Sequence, residues 1–318
     1  MSNRSQLAAP AASSLEEHSA AGGIIPVVGR VLVLTALLLL ARLLFSSIVG
    51  LFELSSAGAD SLPQLLGLLA GCFLYSVVLS YVAVRSRWSG LRLALLIFWL
   101  VLGITVVLAQ VESVVFLQYL VSILSPEMLT LIIVQSTLFA VCCGVLVPLV
   151  HGKLLDAPPA RGVGSSGLLK SMGLGEWAWK LAAIAILYVV IYISAGMFIF
   201  RALAGPAFDE YYHGLQMPAW ILPFQMVRAM IWVLVAVPIL QSMEGKKWEA
   251  ALATALSFSL LMSAFLLGPN AIMPDRIRLS HFVELTASNF VFGWIVAWLL
   301  SRGSDKPEAA LHSGAARL

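Results

Sequence analysis

Apolar residues run through the chain in eight long blocks, each bounded by Gly, Pro, charged residues or Trp. The blocks fall at approximately 28–52, 62–84, 91–109, 128–149, 177–200, 220–240, 250–267 and 279–300. All lie within the range of about 17–25 residues that crosses a hydrocarbon core of roughly 30 Å at helical rise. A segment in lipid must satisfy its own backbone hydrogen bonds, and uninterrupted blocks of this length do so as helices. The pattern therefore predicts an all-α, polytopic integral membrane protein with eight transmembrane helices. Val114 to Leu124 is apolar too, but it is too short to span, and it is expected either to extend the third helix or to lie at the interface.

Composition agrees with that reading. Charged residues make up 11% of the 318, hydrophobic residues 60%, and the mean hydropathy is +0.96, whereas a soluble domain carries about a quarter charged residues. The formal net charge of +3 is not gathered into one basic patch, so no nucleic-acid partner is expected. The partners implied are membrane lipids and a small solute or ion. Cys72, Cys142 and Cys143 sit in apolar runs without CxxC spacing, and they read as small packing residues.

Lys and Arg distribute by side. With the N-terminus inside, fourteen fall on cytoplasmic pieces, and only Arg201, Arg276 and Arg278 fall outside. By the positive-inside rule both termini are expected in the cytoplasm, and the short loops suit a bacterial plasma membrane. Residues 1–26 show no signal-peptide pattern and are expected to be a disordered cytoplasmic tail, and residues 303–318 a second cytoplasmic tail.

A Pro/Gly/Ser-rich linker at 151–176 separates two groups of four spans, 27–150 and 177–302. Laying the eighth span on the fourth aligns Gln135 with Glu284, Thr137 with Thr286 and Gly144 with Gly293. The second and sixth spans are entered by SLPQLL and QMPAWIL, and they lead into the short loops RSRW and GKKW. These coincidences suggest a tandem four-plus-four repeat. Because four is even, both halves would share one orientation, related by an axis along the membrane normal.

Ionisable groups inside spans cost roughly 2.5–3.5 kcal/mol each at the bilayer centre on insertion scales, so each needs a partner or a cavity. Arg42 lies near mid-depth of the first span. Arg228 lies about 12 Å in from the outer end of the sixth, and Glu284 lies slightly shallower in the eighth. An Arg228–Glu284 ion pair is expected if those helices adjoin. Gln225, Glu53 and Glu112 fall toward the same outer ends, which suggests a polar cavity opening outward. For Glu53 and Glu112 a solvated helix end is an equal alternative.

At 100° per residue, His281, Glu284 and Ser288 share one narrow face of the eighth span, while Asn289, Gly293 and Ala297 form an adjacent ridge. His281 with Glu284 reads three ways: a pair of metal ligands, an acid/base pair, or a structural hydrogen bond at the start of the helix. Two donors are short of a metal set, so no metal and no cofactor are assigned. No phosphate loop, HExxH run or GxSxG elbow occurs. The leading functional expectation is a small-solute or ion transporter. The alternatives are a membrane-embedded enzyme with a His/Glu site near the outer leaflet and a non-catalytic membrane subunit or sensor.

Overall fold

A computed structural model describes residues 11–48, 61–115, 125–155, 172–213, 218–270 and 272–302. Among these, eight helices are long and apolar enough to cross a membrane. They are α1 (Ala11–Ile48), α2 (Ser61–Arg85), α3 (Gly90–Val115), α4 (Pro126–Val150), α5 (Leu174–Ala204), α6 (Ile221–Ser242), α7 (Lys247–Leu267) and α8 (Asp275–Ser301). No strand occurs among the described residues; the only pairing of that kind is an isolated bridge between Ser86 and Met243. Helix α1 begins at Ala11, inside the stretch expected to be a tail, and it runs on past Pro26. Helix α3 extends to Val115, and 116–124 lie outside the described residues.

Each group of four uses the same set of partners. Helix α1 packs on α2 and α4, and α3 packs on α4; likewise α5 packs on α6 and α8, and α7 packs on α8. Between the groups, α2 meets α7 while α3 meets α6. Glycine permits the closest of these approaches, because small residues let helix backbones come together in an apolar medium. A Cβ on Gly144 would lie 3.0 Å from the Ala94 carbonyl of α3, and one on Gly293 would lie 2.9 Å from the Ala255 Cα of α7. The two glycines that align in the sequence thus sit at corresponding seams, α3–α4 and α7–α8. Gly67 on α2 meets the backbone of Gly268, just past α7, so closely that a Cβ would overlap it.

The centre is aromatic. Trp232 of α6 stacks on Phe258 of α7 with ring centroids 4.3 Å apart, and Phe292 of α8 joins them and meets Tyr188 of α5 at 4.9 Å.

One end of the bundle is basic. There the RSRW loop pairs reciprocally with the residues that lead into GKKW: the Arg87 amide donates to the Ser242 carbonyl at 2.8 Å and the Glu244 amide to the Arg85 carbonyl at 2.9 Å. Two lysines close helix C-termini, whose last carbonyls have no intrahelical partner. Lys153 donates to the Ala83 and Ser86 carbonyls at the end of α2, at 2.8 and 2.7 Å. Lys180, only 1% exposed, donates to the Arg302 carbonyl at the end of α8 and pairs with Glu176 at 2.7 Å.

At the opposite end, two of the three arginines that break the charge bias are neutralised where they stand. Arg201 pairs with Asp209 at 2.9 Å, and Arg278 pairs with Asp275 at 2.6 Å while also donating to the Leu266 carbonyl.

Candidate functional site

The densest buried polar cluster is built on a defect in α3. From Gly103 to Leu108 that helix is wound as a π-helix, which breaks the regular i→i+4 ladder. The Leu108 carbonyl at its end accepts from Arg228 of α6, from Nε at 3.2 Å and Nη2 at 2.9 Å. One turn further along α3, Glu112 sets its Oε2 2.5 Å from Arg228 Nη1. Gln225, a turn before Arg228, accepts from Nη1 at 3.3 Å and donates to Glu112 Oε1 at 3.4 Å. Tyr192 of α5 donates its hydroxyl to the same Oε1 at 3.1 Å. Arg228 is 4% exposed and Glu112 30%, so the cation is sealed in and the carboxylate faces partly outward.

The expected Arg228–Glu284 pair therefore gives way to Arg228–Glu112. The neighbour differs because α6 meets α3 across the two groups of helices, and the π-turn aims both a carbonyl and a carboxylate at the guanidinium.

Glu284 is paired within its own helix. Its Oε2 lies 3.0 Å from His281 Nδ1, and Ser288 donates to its Oε1 at 3.5 Å. The face expected for His281, Glu284 and Ser288 is thus present. Glu284 is 9% exposed at the side chain and His281 28%. The imidazole rests on the Phe200 ring of α5, centroids 4.9 Å apart. The Nδ1 to Oε2 contact is close but off hydrogen-bond alignment, so it is a contact between two titratable groups rather than a formed bond.

Two tyrosines lie near both clusters. Tyr188 lies within electrostatic reach of Arg228, Glu112 and Glu284. Tyr212, in the segment after α5, lies within reach of both Glu112 and Glu284. Burial first, and then Tyr211 and these two carboxylates, push the Tyr212 phenol above its ordinary range. None of the three tyrosines stood out in the sequence, although Tyr188 and Tyr192 have the i, i+4 spacing of a shared helix face.

The remaining expected site residues lie elsewhere. Arg42 of α1 lies elsewhere, its guanidinium 4.5 Å from the Phe265 ring centroid and 5.4 Å from that of Phe139. It does not join the Arg228 or Glu284 cluster. Asn289 is 6% exposed at the α7–α8 seam, and its Nδ2 has no hydrogen-bond partner among the described residues. Glu53 lies outside the described residues. No set of three or more His, Cys, Asp or Glu residues able to hold a metal occurs among the described residues, so His281 and Glu284 stand as two donors.

The fold defines a multi-pass α-helical membrane protein. Comparison with models of protein families, with curated proteins and with solved structures finds no match to any of them.

Proposed function

We propose that the chain is a permease for a small solute or ion, made of two like four-helix halves, with His281 and Glu284 as its proton-responsive pair. One observation carries this reading. Of the two carboxylates in this polar region, Glu112 of α3 is held by an arginine that stays charged, whereas Glu284 of α8 lies against a histidine that can lose its charge. Uptake of a proton at the more exposed His281 changes the net charge of the pair, and the imidazole lies 3.0 Å from the buried Glu284. Intramembrane groups with that property commonly mark solute or proton paths. Arg228–Glu112 is then the fixed counter-charge beside the path, and Tyr188 and Tyr212 are its hydroxyl-bearing walls.

The matching helix partners, the corresponding seams at Gly144 and Gly293 and the reciprocal pairing of the RSRW loop with the residues that lead into GKKW support the two-half reading. The Lys/Arg asymmetry supports placing the basic end in the cytoplasm, with the site opening outward across a bacterial plasma membrane.

The test is charge movement in proteoliposomes on a solid-supported membrane, screened with a library of small anions, cations and neutral metabolites. Responses are expected that vanish in Glu284→Gln and shift their pH dependence in His281→Asn. Currents left unchanged by both Glu284→Gln and Arg228→Ala would sink the proposal.

A further inference from the structure

His281 and Glu284 leave each other incompletely satisfied. Glu284 is 9% exposed at the side chain, and an ionised carboxylate offers about four acceptor positions. Among the described residues, the one hydrogen bond it receives comes from Ser288 at 3.5 Å, longer than the usual O–H···O range of about 2.5–3.0 Å. His281 Nδ1 lies 3.0 Å from Glu284 Oε2 without alignment, and it is itself buried with no hydrogen-bond partner among the described residues. In a neutral ring that carries its proton on Nε2, this nitrogen is an acceptor. Two acceptors at that separation repel, and buried polar groups left so cost free energy until a donor reaches them. One donor group shared by both atoms would satisfy them together.

Charge and surroundings narrow the kind of donor. Glu112 is matched by Arg228, Asp209 by Arg201 and Asp275 by Arg278. Glu210, His213 and Arg276 are exposed, where water and salt weaken their reach. With His281 neutral, Glu284 therefore carries the surplus charge. Residues 116–124 and 214–217 contain no Asp, Glu, Lys, Arg or His, and residues 49–60 contain only the acids Glu53 and Asp60, so those segments supply no further cation. The surroundings are aromatic. Phe200 meets the imidazole at 4.9 Å between centroids, and Phe208 and Tyr212 stand edge-on to Phe200 at 5.3 and 6.0 Å. A carboxylate beside ring faces suits an organic ammonium, whereas a hard metal cation takes a shell of about six or more oxygens.

On the permease reading of this pair, on which the assignment rests, we infer that the solute bound by His281 and Glu284 is a small protonated amine. The ammonium donates one N–H to Glu284 and another to His281 Nδ1, with its charge beside the Phe200 ring. Acceptance at Nδ1 requires a neutral imidazole, so a protonated His281 gives its Nδ1 proton to water as the amine enters. One cation enters, one proton leaves, and the charge of the site is unchanged. Without the amine, the imidazolium itself is the cation between the same carboxylate and the same ring.

Isothermal titration calorimetry of the full-length protein in phosphatidylcholine nanodiscs reads binding apart from transport, with propylammonium, tetramethylammonium, sodium and propionate as probes. Propylammonium is expected to bind most tightly, ahead of tetramethylammonium, which has no N–H to donate. Its apparent affinity should rise about tenfold per pH unit while His281 is protonated and level off once the ring is neutral, with proton release read from the buffer dependence of the heat. His281→Asn should remove that pH dependence. Glu284→Gln should weaken binding at least about tenfold and Phe200→Leu about fivefold. Where Glu284→Gln does not fold, the pH dependence and its loss in His281→Asn decide. Sodium, tetramethylammonium or propionate binding as tightly as propylammonium overturns the assignment, and so does an affinity that ignores pH or survives Glu284→Gln with the thermal midpoint intact. Failure of propylammonium to bind while another solute still gives Glu284-dependent currents removes the amine alone. Binding of propylammonium with no solute moved upholds the amine site and removes the permease reading.

Discussion

Removing Glu112 should harm the protein more than removing the arginine it pairs with. Arg228 is 4% exposed and Glu112 30%, and a guanidinium cannot shed its charge. Glu112→Ala leaves that charge sealed in with the Leu108 carbonyl and Gln225 as its remaining partners. Two unit charges about 4 Å apart attract by roughly 4 kcal/mol at an effective dielectric near 20. Discounted for the partial exposure of the carboxylate, the loss is about 3 kcal/mol, at the lower edge of the range for broken buried pairs. Glu112→Gln keeps the acceptor and gives up only the charge assistance, about 1–1.5 kcal/mol. Arg228→Met leaves a carboxylate that water can reach, for about 1–2 kcal/mol. The double variant Glu112→Ala/Arg228→Met should then cost about 2 kcal/mol, well under the sum of the single changes. Equilibrium unfolding by SDS in mixed micelles measures all four. Additivity within about 0.5 kcal/mol, or Arg228→Met proving the costlier single change, would refute the reasoning.

Other consequences are simpler. Gly67→Ala drives a Cβ into the Gly268 backbone, which cannot rotate away, and should cost about 2 kcal/mol or more, whereas Gly175→Ala meets nothing within 4 Å and should be neutral or slightly stabilising; thermal midpoints in detergent compare the two. His151 sits just past the end of α4 with Nε2 2.9 Å from the Ser80 hydroxyl, and burial, followed by Arg30 and Lys153, lowers its pKa from 6.5 to about 4. The unfolded chain then binds more protons than the folded one between those values, so this contribution to stability is intact above pH 6.5 and is lost as pH falls toward 4. His151→Asn should flatten that part of the pH–stability curve, and a curve that keeps its slope would show that His151 is not its source.

Hydropathy made the eight crossings legible because a span has to be apolar over its whole length. It gave positions along a helix but not neighbours between helices. Arg228 lies two turns into α6 and Glu284 a few turns into α8, yet the partner of Arg228 is on α3. Nothing in the sequence separates Gly103–Leu108 from an ordinary helical run, and the π-turn there is what aims Leu108 and Glu112 at α6. The face shared by His281, Glu284 and Ser288 was readable because it depends only on the period of a single helix. Lys153 and Lys180 were counted as markers of sidedness. Their second role, closing the ends of α2 and α8, depends on which C-termini they reach, and sequence does not give that.

The cations within the spans of this fold are neutralised in two ways, and the half-buried Arg42 isolates the second. Lys180, Arg228 and Arg278 each have a carboxylate and a backbone carbonyl. Arg42, among the described residues, has two aromatic faces instead. A desolvated cation–π contact is worth about 2 kcal/mol, and mid-depth insertion of arginine costs roughly 2.5–3.5 kcal/mol. Two rings therefore offset most of the cost without any acid. It follows that Phe265 is coupled to the charge of Arg42 and not merely to its volume. Phe265→Leu should cost at least about 1 kcal/mol more in the parent than in an Arg42→Met background, whereas the same change tested against Arg42→Lys should keep most of the coupling. A cycle that closes to zero for Arg42→Met would mean that Phe265 only fills space, and the charge of Arg42 would then have to be balanced by a group beyond these two rings.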